Sequence, residues 1–475
     1  MFKKIILTTF ALSTLSGLFG QEVWTLERCI QHAQSNNLQI KQSNLQVKNE
    51  DLTNQQNKNA RLPSVSAGSN LGFNFGRSVN PSTYQFENRS SNFNAWSVRA
   101  DVPIYSGGRL NNRIKQSGYD VEAAKLDAER MSNDIALQIA SSYLQILLNE
   151  EQLENNKKRI KLSQDQLSRI EKQIKAGSLA QNSKYETIAQ IARNEQQIVV
   201  SENSVALAYL TLKSLLQLDP DYALRIEKPN FNAPLAVNTD VFNLKTIFNQ
   251  ALNGQPQIRA GELRIKSAEV GVSVAKAGFL PTLNASVGLN TNYSNAILDF
   301  STARFVDNNL PVKINGTPSI LTTPSVDAST ASKKSYGSQI GDNFGQSVSF
   351  SLQIPIFEQG INKINVERAN LNVQQQILVQ ERAKQQLKND IQTAIANARA
   401  SQRSFDAAQK SLEALKAAFE ATEKRFSIGG SSSFELSQAK LNLDASENDV
   451  VFAKYDFLFK LKIVEFYQGK SLNLK

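Results

Sequence analysis

The chain has 475 residues, 41% hydrophobic and 20% charged, with a formal net charge of +10. That balance excludes a disordered polyelectrolyte. Basic runs such as Lys157-Lys158-Arg159 stand apart from any aromatic-rich module, so they read as solvated helix faces and no nucleic-acid partner is expected.

The first 20 residues read as a secretory signal. Lys3 and Lys4 supply the positive start, Ile5 to Leu18 the apolar run, and Gly20-Gln21 a cleavage point. The run falls short of the roughly 20 apolar residues that a span requires. Cys29 is the only cysteine and His32 the only histidine. Glu27-Arg28 precedes Cys29, unlike the small apolar residues that precede a lipid-bearing cysteine. Both residues are expected to serve the packing or surface of a first helix. With no Gly-rich phosphate loop and no metal-ligand cluster, an enzyme is not expected, nor any cofactor.

Helical patterning follows over 26–60. Two stretches then alternate with period two: Val65, Ala67, Leu71, Phe73 and Phe75 on one face, then Trp96, Val98, Ala100, Val102 and Ile104. Their neighbours are mostly Ser, Asn, Gln and Arg, the pattern of half-buried strands. The polar stretch from Asn80 to Asn94 joins them. Pro103 lies near the second strand's end, a turn at Ser106-Gly107-Gly108 follows, and 109–175 then runs without proline. Sixty-seven helical residues would extend about 100 Å. Ile139, Ile146, Leu153, Ile160, Leu167 and Ile174 recur every seven residues, which predicts coiled-coil packing. Gly177 ends that helix, and 183–217 is helical again.

Residues 218–241, with Pro220, Pro229 and Pro234, read as a link, after which the whole pattern returns. Trp24-Thr25-Leu26 matches Phe242-Asn243-Leu244, and Leu62-Pro63-Ser64 matches Leu280-Pro281-Thr282, both at an offset of 218. Val102-Pro103-Ile104-Tyr105 matches Ile354-Pro355-Ile356-Phe357, and Gly177 matches Gly429, at an offset of 252. The difference of 34 residues places one enlarged loop between Pro281 and Pro355. Strands are expected at Leu283, Ala285, Val287 and Leu289, and at Val348, Phe350, Leu352, Ile354 and Ile356, with a long polar loop from Asn290 to Gln346. Helices are expected over 243–279, 360–427 and 434–468. The second heptad row is Ile391, Ala398, Phe405, Leu412, Phe419 and Phe426. The organisation is therefore a signal (1–20), a first repeat (21–220), a linker or equatorial segment (221–241) and a second repeat (242–475).

The fold class is mainly α with membrane β-strands. Four strands cannot close a barrel, and an open edge in lipid leaves backbone groups unpaired, so a membrane-spanning version must oligomerise. A periplasmic or secreted coiled-coil scaffold without a pore is the alternative; it explains the heptads but not alternating strands placed twice at corresponding positions.

The duplicated unit, the Pro-containing strand leading through a turn into a long helix, and Arg425-Phe426-Ser427-Ile428-Gly429 at the second tip resemble the TolC-type outer membrane efflux proteins over nearly the whole mature chain. The resemblance implies a homotrimer with a twelve-stranded barrel in outer-membrane lipid, four strands per chain, continued by a periplasmic α-helical coiled-coil barrel. It also implies a periplasmic adaptor (membrane fusion) protein and an inner-membrane pump or ABC exporter as partners, in an efflux or type I secretion system. The family's tip gate, two acidic positions with a Tyr and an Arg, maps onto Glu435, Gln438, Phe426 and Ser431, so only the first acidic position keeps its chemistry. The first-repeat equivalent of Glu435 is Ser183. Gly177, Gly429 and Gly430, with Ser183, are the candidate tips for adaptor docking.

Overall fold

The computed structural model describes residues 23–79, 84, 86–88, 90–228 and 239–470. The signal, Pro229, Pro234 and part of the first polar loop lie outside them. In chain order the elements are β1 (Val23–Trp24), α1 (Leu26–Asn36), α2 (Leu38–Asn59), β2 (Ser64–Asn74), β3 (Arg77–Val79), β4 (Phe86–Asn88), β5 (Ser91–Ser106), α3 (Arg109–Lys175) and α4 (Asn182–Leu216). The second half runs β6 (Arg225–Ile226), α5 (Leu244–Gly254), α6 (Pro256–Lys276), β7 (Thr282–Ser294), β8 (Leu298–Asp299), β9 (Phe305–Ile314), β10 (Thr317–Val326), β11 (Ser332–Lys333), α7 (Tyr336–Asp342), β12 (Gly345–Gln353), α8 (Ile361–Ser427) and α9 (Ser433–Tyr467). Among the described residues no helix is long and apolar enough to cross a membrane.

Two compact units result. The helical unit takes the described residues of 1–52, 118–267 and 372–475. Its core is duplicated position by position. Cys29, Ala33 and Ile40 are buried as are Ile247, Ala251 and Ile258, 218 residues on. Ile135, Ile139 and Leu212 are buried as are Leu387, Ile391 and Val464, 252 residues on. The heptad rows are fully buried at Ile139, Ile146, Ile391 and Ala398 and half-buried from Leu153 and Leu412 towards the tips. The single thiol thus occupies the place of an isoleucine in the other repeat. Tyr143, fully buried, donates its hydroxyl to the carbonyls of Trp24 (3.2 Å) and Glu227 (2.6 Å), which fixes β6 beside β1, its parallel neighbour.

Neither 26–60 nor 243–279 is one helix. Both break, after Asn36 and after Gly254, at positions again 218 apart. Asn37 and Gln255 adopt extended backbone. Asn37 Oδ1 accepts from the amides of Gln39 and Ile40, restarting the helix as an N-cap does, and Pro256 restarts the other from its first position. The N-caps also correspond. The Thr25 side chain accepts from Arg28 N, and that of Asn243 from Lys245 N and Thr246 N.

The second unit takes residues 53–117 and 268–371 and is built on a four-stranded antiparallel sheet in the order β12-β7-β5-β2. Both hairpins expected from the alternation are present, and β5 pairs with β7 to join the repeats. One face carries cross-strand rows such as Val65–Ala100–Val287–Val348. The other carries Ser66–Arg99–Gly288–Ser347 and Ser64–Asp101–Ser286–Ser349. Phe350 and Val65 are about seven-tenths exposed, at 70% and 71%.

Two expectations need correction here. β5 continues past Pro103 to Ser106, absorbing the proline in a register shift between Pro103 and Tyr105. β12 instead ends at Gln353, so Ile354-Pro355-Ile356 lies beyond it. Past Asp101 β5 has β7 as its one ladder neighbour, and the register shift accommodates the proline in that one-sided stretch. The stretch from Asn290 to Gln346 is not a plain loop either. It holds the β9–β10 hairpin, closed by Asn315 and Gly316 with φ of 53° and 86°, the signature of a type I′ turn. α7 follows, capped by Ser335, and Tyr336 Oη accepts from Trp96 Nε1 at 3.1 Å.

Candidate functional site at the helical tips

α3 and α8 end in the same way. Gly177 and Gly429 take φ of 74° and 76°, and Ser178 N and Gly430 N reach back five residues to Gln173 O and Arg425 O at 2.9 and 2.8 Å. This is the Schellman turn, which needs a residue free to adopt positive φ. The next helices start differently. α9 opens on a capping box, in which Ser432 Oγ accepts from Glu435 N (3.2 Å) and Glu435 Oε2 accepts from Ser432 N (3.3 Å). α4 begins at Gln181 with no side-chain cap. Across the first tip, Lys184 reaches Glu171 at 2.7 Å, and this hydrogen bond and charge hold the Glu171 carboxyl below its usual range.

The interior near the tips is polar. In the first repeat α3 and α4 are joined by amide and hydroxyl contacts at steps of seven along α3. Asn149 Nδ2 donates to Ser204 O (3.1 Å), Asn156 Nδ2 to Ser201 Oγ (2.8 Å), and Asn194 Nδ2 to Ser163 Oγ (3.0 Å). In the second repeat the α8–α9 seam is aromatic, with Phe405 stacked on Phe457 at 6.4 Å. A cavity of about 120 Å³ lies among α3, α4, α8 and α9. Phe426 lines it together with Arg159, Gln173, Lys440 and Asp444. A neighbouring cavity of about 370 Å³ is lined by Ser183 and Gln438 among others.

The sequence-derived gate positions have different surroundings: Phe426 lines the first cavity and Gln438 the second. Glu435 is exposed and lines neither cavity, its carboxylate engaged in the capping box. Ser431 Oγ is buried without a hydrogen-bond partner. Gly177, Gly429 and Gly430 are exposed at the turns. Sequence reasoning missed Arg159, Lys440 and Asp444, and also the buried row Thr187, Asn194, Ser201 and Ala208 on α4. That row was findable: it is a seven-residue repeat, overlooked because its members are small or polar.

Two strand hairpins, each flanked in sequence by long helices, define a class of protein, the outer-membrane channel protomers. A family model described as outer membrane efflux protein matches residues 29–217 and 319–461. The chain belongs to that family, whose members are channels of the outer membrane. It is 20% identical over 438 residues to the probable outer membrane lipoprotein SilC of Salmonella typhimurium, covering 90% of this chain and 82% of SilC. Its fold matches that of CusC, with a TM-score of 0.72, 17% identity and coverage of 94% and 92%. VceC of Vibrio cholerae gives a TM-score of 0.72 at 14% identity, over 94% of this chain and 97% of VceC. In this chain Cys29 is completely buried, which suits a packing residue rather than a lipid-bearing one.

Proposed function

We propose that three copies of this chain close a twelve-stranded outer-membrane barrel and form a conduit that carries substrates outward from a periplasmic adaptor and an inner-membrane pump or ABC exporter. The observation that carries this reading is the four-stranded sheet, whose β2 and β12 edges have no neighbour among the described residues and whose one face is apolar and exposed. Unpaired backbone groups are costly in lipid, and joining β2 of one copy to β12 of the next satisfies both edges. Two exposed heptad stripes support the same assembly: Leu38, Leu45 and Leu52 on α2, and Ile364, Leu371 and Leu378 on α8. The sheet's other face, rich in Ser, Asn and Gly, suits an aqueous lumen.

In this reading the tips form the gate. Three copies of Glu435 set a ring of negative charge around one axis, with Gln438, Phe426 and Ser431 beside it, while Gly177, Ser183, Gly429 and Gly430 offer the adaptor its docking points. A capping-box glutamate can hold its helix start and still face solvent, as Glu435 does, so helix start and gate are compatible uses. The protein should partition to the outer membrane and migrate as a heat-modifiable oligomer; recovery as a detergent-free soluble monomer would refute the barrel. In planar bilayers Glu435→Ala is expected to weaken block by multivalent cations. Unaltered block would remove Glu435 from the gate.

A further inference from the structure

The four strands of the main sheet carry a single pair of charges. Arg99 and Asp101, both on β5, are the only Asp, Glu, Lys or Arg residues of β2, β5, β7 and β12. Two residues apart on one strand, they share a face. It is the face of Ser, Asn and Gly rather than the apolar one. The second repeat lacks them, for the positions 252 residues on are Ser351 and Gln353.

The pair is held along the strand. Arg99 Nε donates to both oxygens of Asp101 at 2.9 Å. Ser286 on β7 donates to Asp101 Oδ1 at 2.6 Å and accepts from Arg99 Nη2 at 3.4 Å. The two charges differ in what they have left. Asp101 is bonded at both oxygens, and its side chain is 41% exposed. Arg99 is 63% exposed and has engaged its Nε and one Nη, two of a guanidinium's five N–H donors. Its cross-strand neighbours Ser66 and Gly288 are small, so the sheet does not cover it. The acid is the engaged half of the pair and the guanidinium the accessible half.

Twelve strands about 4.8 Å apart, tilted by about 40°, enclose a wall of radius roughly 12 Å. Three guanidiniums reaching inward from that wall leave no path farther than about one Debye length, ~8 Å, from one of them. A bare ring of three arginines would hold an anion tightly. Asp101 beside each one cancels most of that charge at a distance and leaves the outer donors for contact. Conduction needs that combination, a contact favourable enough to enter and weak enough to leave.

We propose that Arg99 is a solute-contacting residue of the conduit, whose outer Nη groups form a weak subsite for the oxyanion groups (carboxylate or phosphate) of passing solutes, with Asp101 setting how weak. This rests on the reading of the sheet as part of a barrel with its polar face inward. Planar guanidinium donors suit such groups bidentately.

In planar bilayers tripolyphosphate and, separately, citrate are added to the extracellular side of the intact oligomer in monovalent salt. Brief, low-affinity block of the wild type is expected from one or both, and the comparison tells phosphate from carboxylate. Asp101→Asn should tighten that block on the order of tenfold and lengthen each event. Arg99→Gln should abolish it and, in a salt gradient, shift the reversal potential towards cation preference, because three carboxylates are left uncompensated. The double variant should show neither change in preference nor block. Unchanged block in Arg99→Gln, or no block of the wild type by either anion, would overturn the subsite. A cysteine arm tests the face by itself. Ser66→Cys, beside Arg99, should react with an externally added charged thiosulfonate and lower the conductance. If it stays unreactive in a heat-modifiable oligomer, the polar face does not line a lumen, and the barrel reading falls with the subsite. If it reacts while Arg99→Gln changes nothing, the subsite alone falls.

Discussion

At the scale of single residues, the duplication decides what the unusual side chains do. Cys29 stands where the other repeat has Ile247, both fully buried against the same surroundings. Burial pushes its thiol up to about 12, and only the thiolate is an effective nucleophile. The native protein is therefore expected to resist maleimide or thiosulfonate labelling at pH 8 and to label once per chain after denaturation; rapid labelling of the folded oligomer would place Cys29 at an accessible surface. Glu435 is the contrasting case. Its partner in the first repeat, Ser183, starts a helix without a cap, so the carboxylate adds both a helix-start contact and a charge that the other tip lacks.

At the scale of elements, much was legible because it is periodic. The limits of α3 follow from the proline-free stretch after Gly107-Gly108, and the sheet hairpins follow from the period-two faces. What escaped had a local cause. The breaks at Asn37 and Gln255 sit inside patterns that remain helical on both sides, and one amide that caps the next helix, or one proline at its first position, is a small signal against that background. The β9–β10 hairpin was readable from Asn315-Gly316 but was submerged in a polar composition. Counting outward from that turn, Pro311, Pro318 and Pro324 fall at positions whose backbone nitrogens face away from the hairpin partner. They interrupt no ladder bond and leave both edges poor in donors, a guard against pairing with foreign strands. Asp444 and Arg159 were illegible for another reason: both look like surface charges in sequence, and only packing shows that the acid is buried. The hairpin's base is already closed by a 3.0 Å bond from Asp327 N to Arg304 O. Excising Phe305–Val326 is accordingly expected to leave the oligomer intact, with thermal stability lowered by less than about 1 kcal/mol per chain. Loss of the heat-modifiable species would show instead that the hairpin helps hold the copies together.

At the scale of the whole molecule, the exposed stripes and the open sheet edges divide the same way. Leu38, Leu45, Leu52 and β2 belong to the first repeat; Ile364, Leu371, Leu378 and β12 belong to the second. Leu45 is 63% exposed in the single chain, so Leu45→Glu should spare the helix itself while removing about 1.5–3 kcal/mol of apolar burial from each contact between copies. The expected result is dissociation in detergent with unchanged helical circular dichroism; an oligomer as stable as wild type would take the α2 stripe out of the interface. The division of edges also has a genetic meaning. When first repeat meets second repeat in a closed ring, every contact is of one head-to-tail kind and each must form for the ring to shut. One subunit with a spoiled edge spoils the ring it enters. With equal synthesis of normal and damaged chains and random mixing, only about one ring in eight escapes, so an allele damaged at β2 or β12 should behave as dominant.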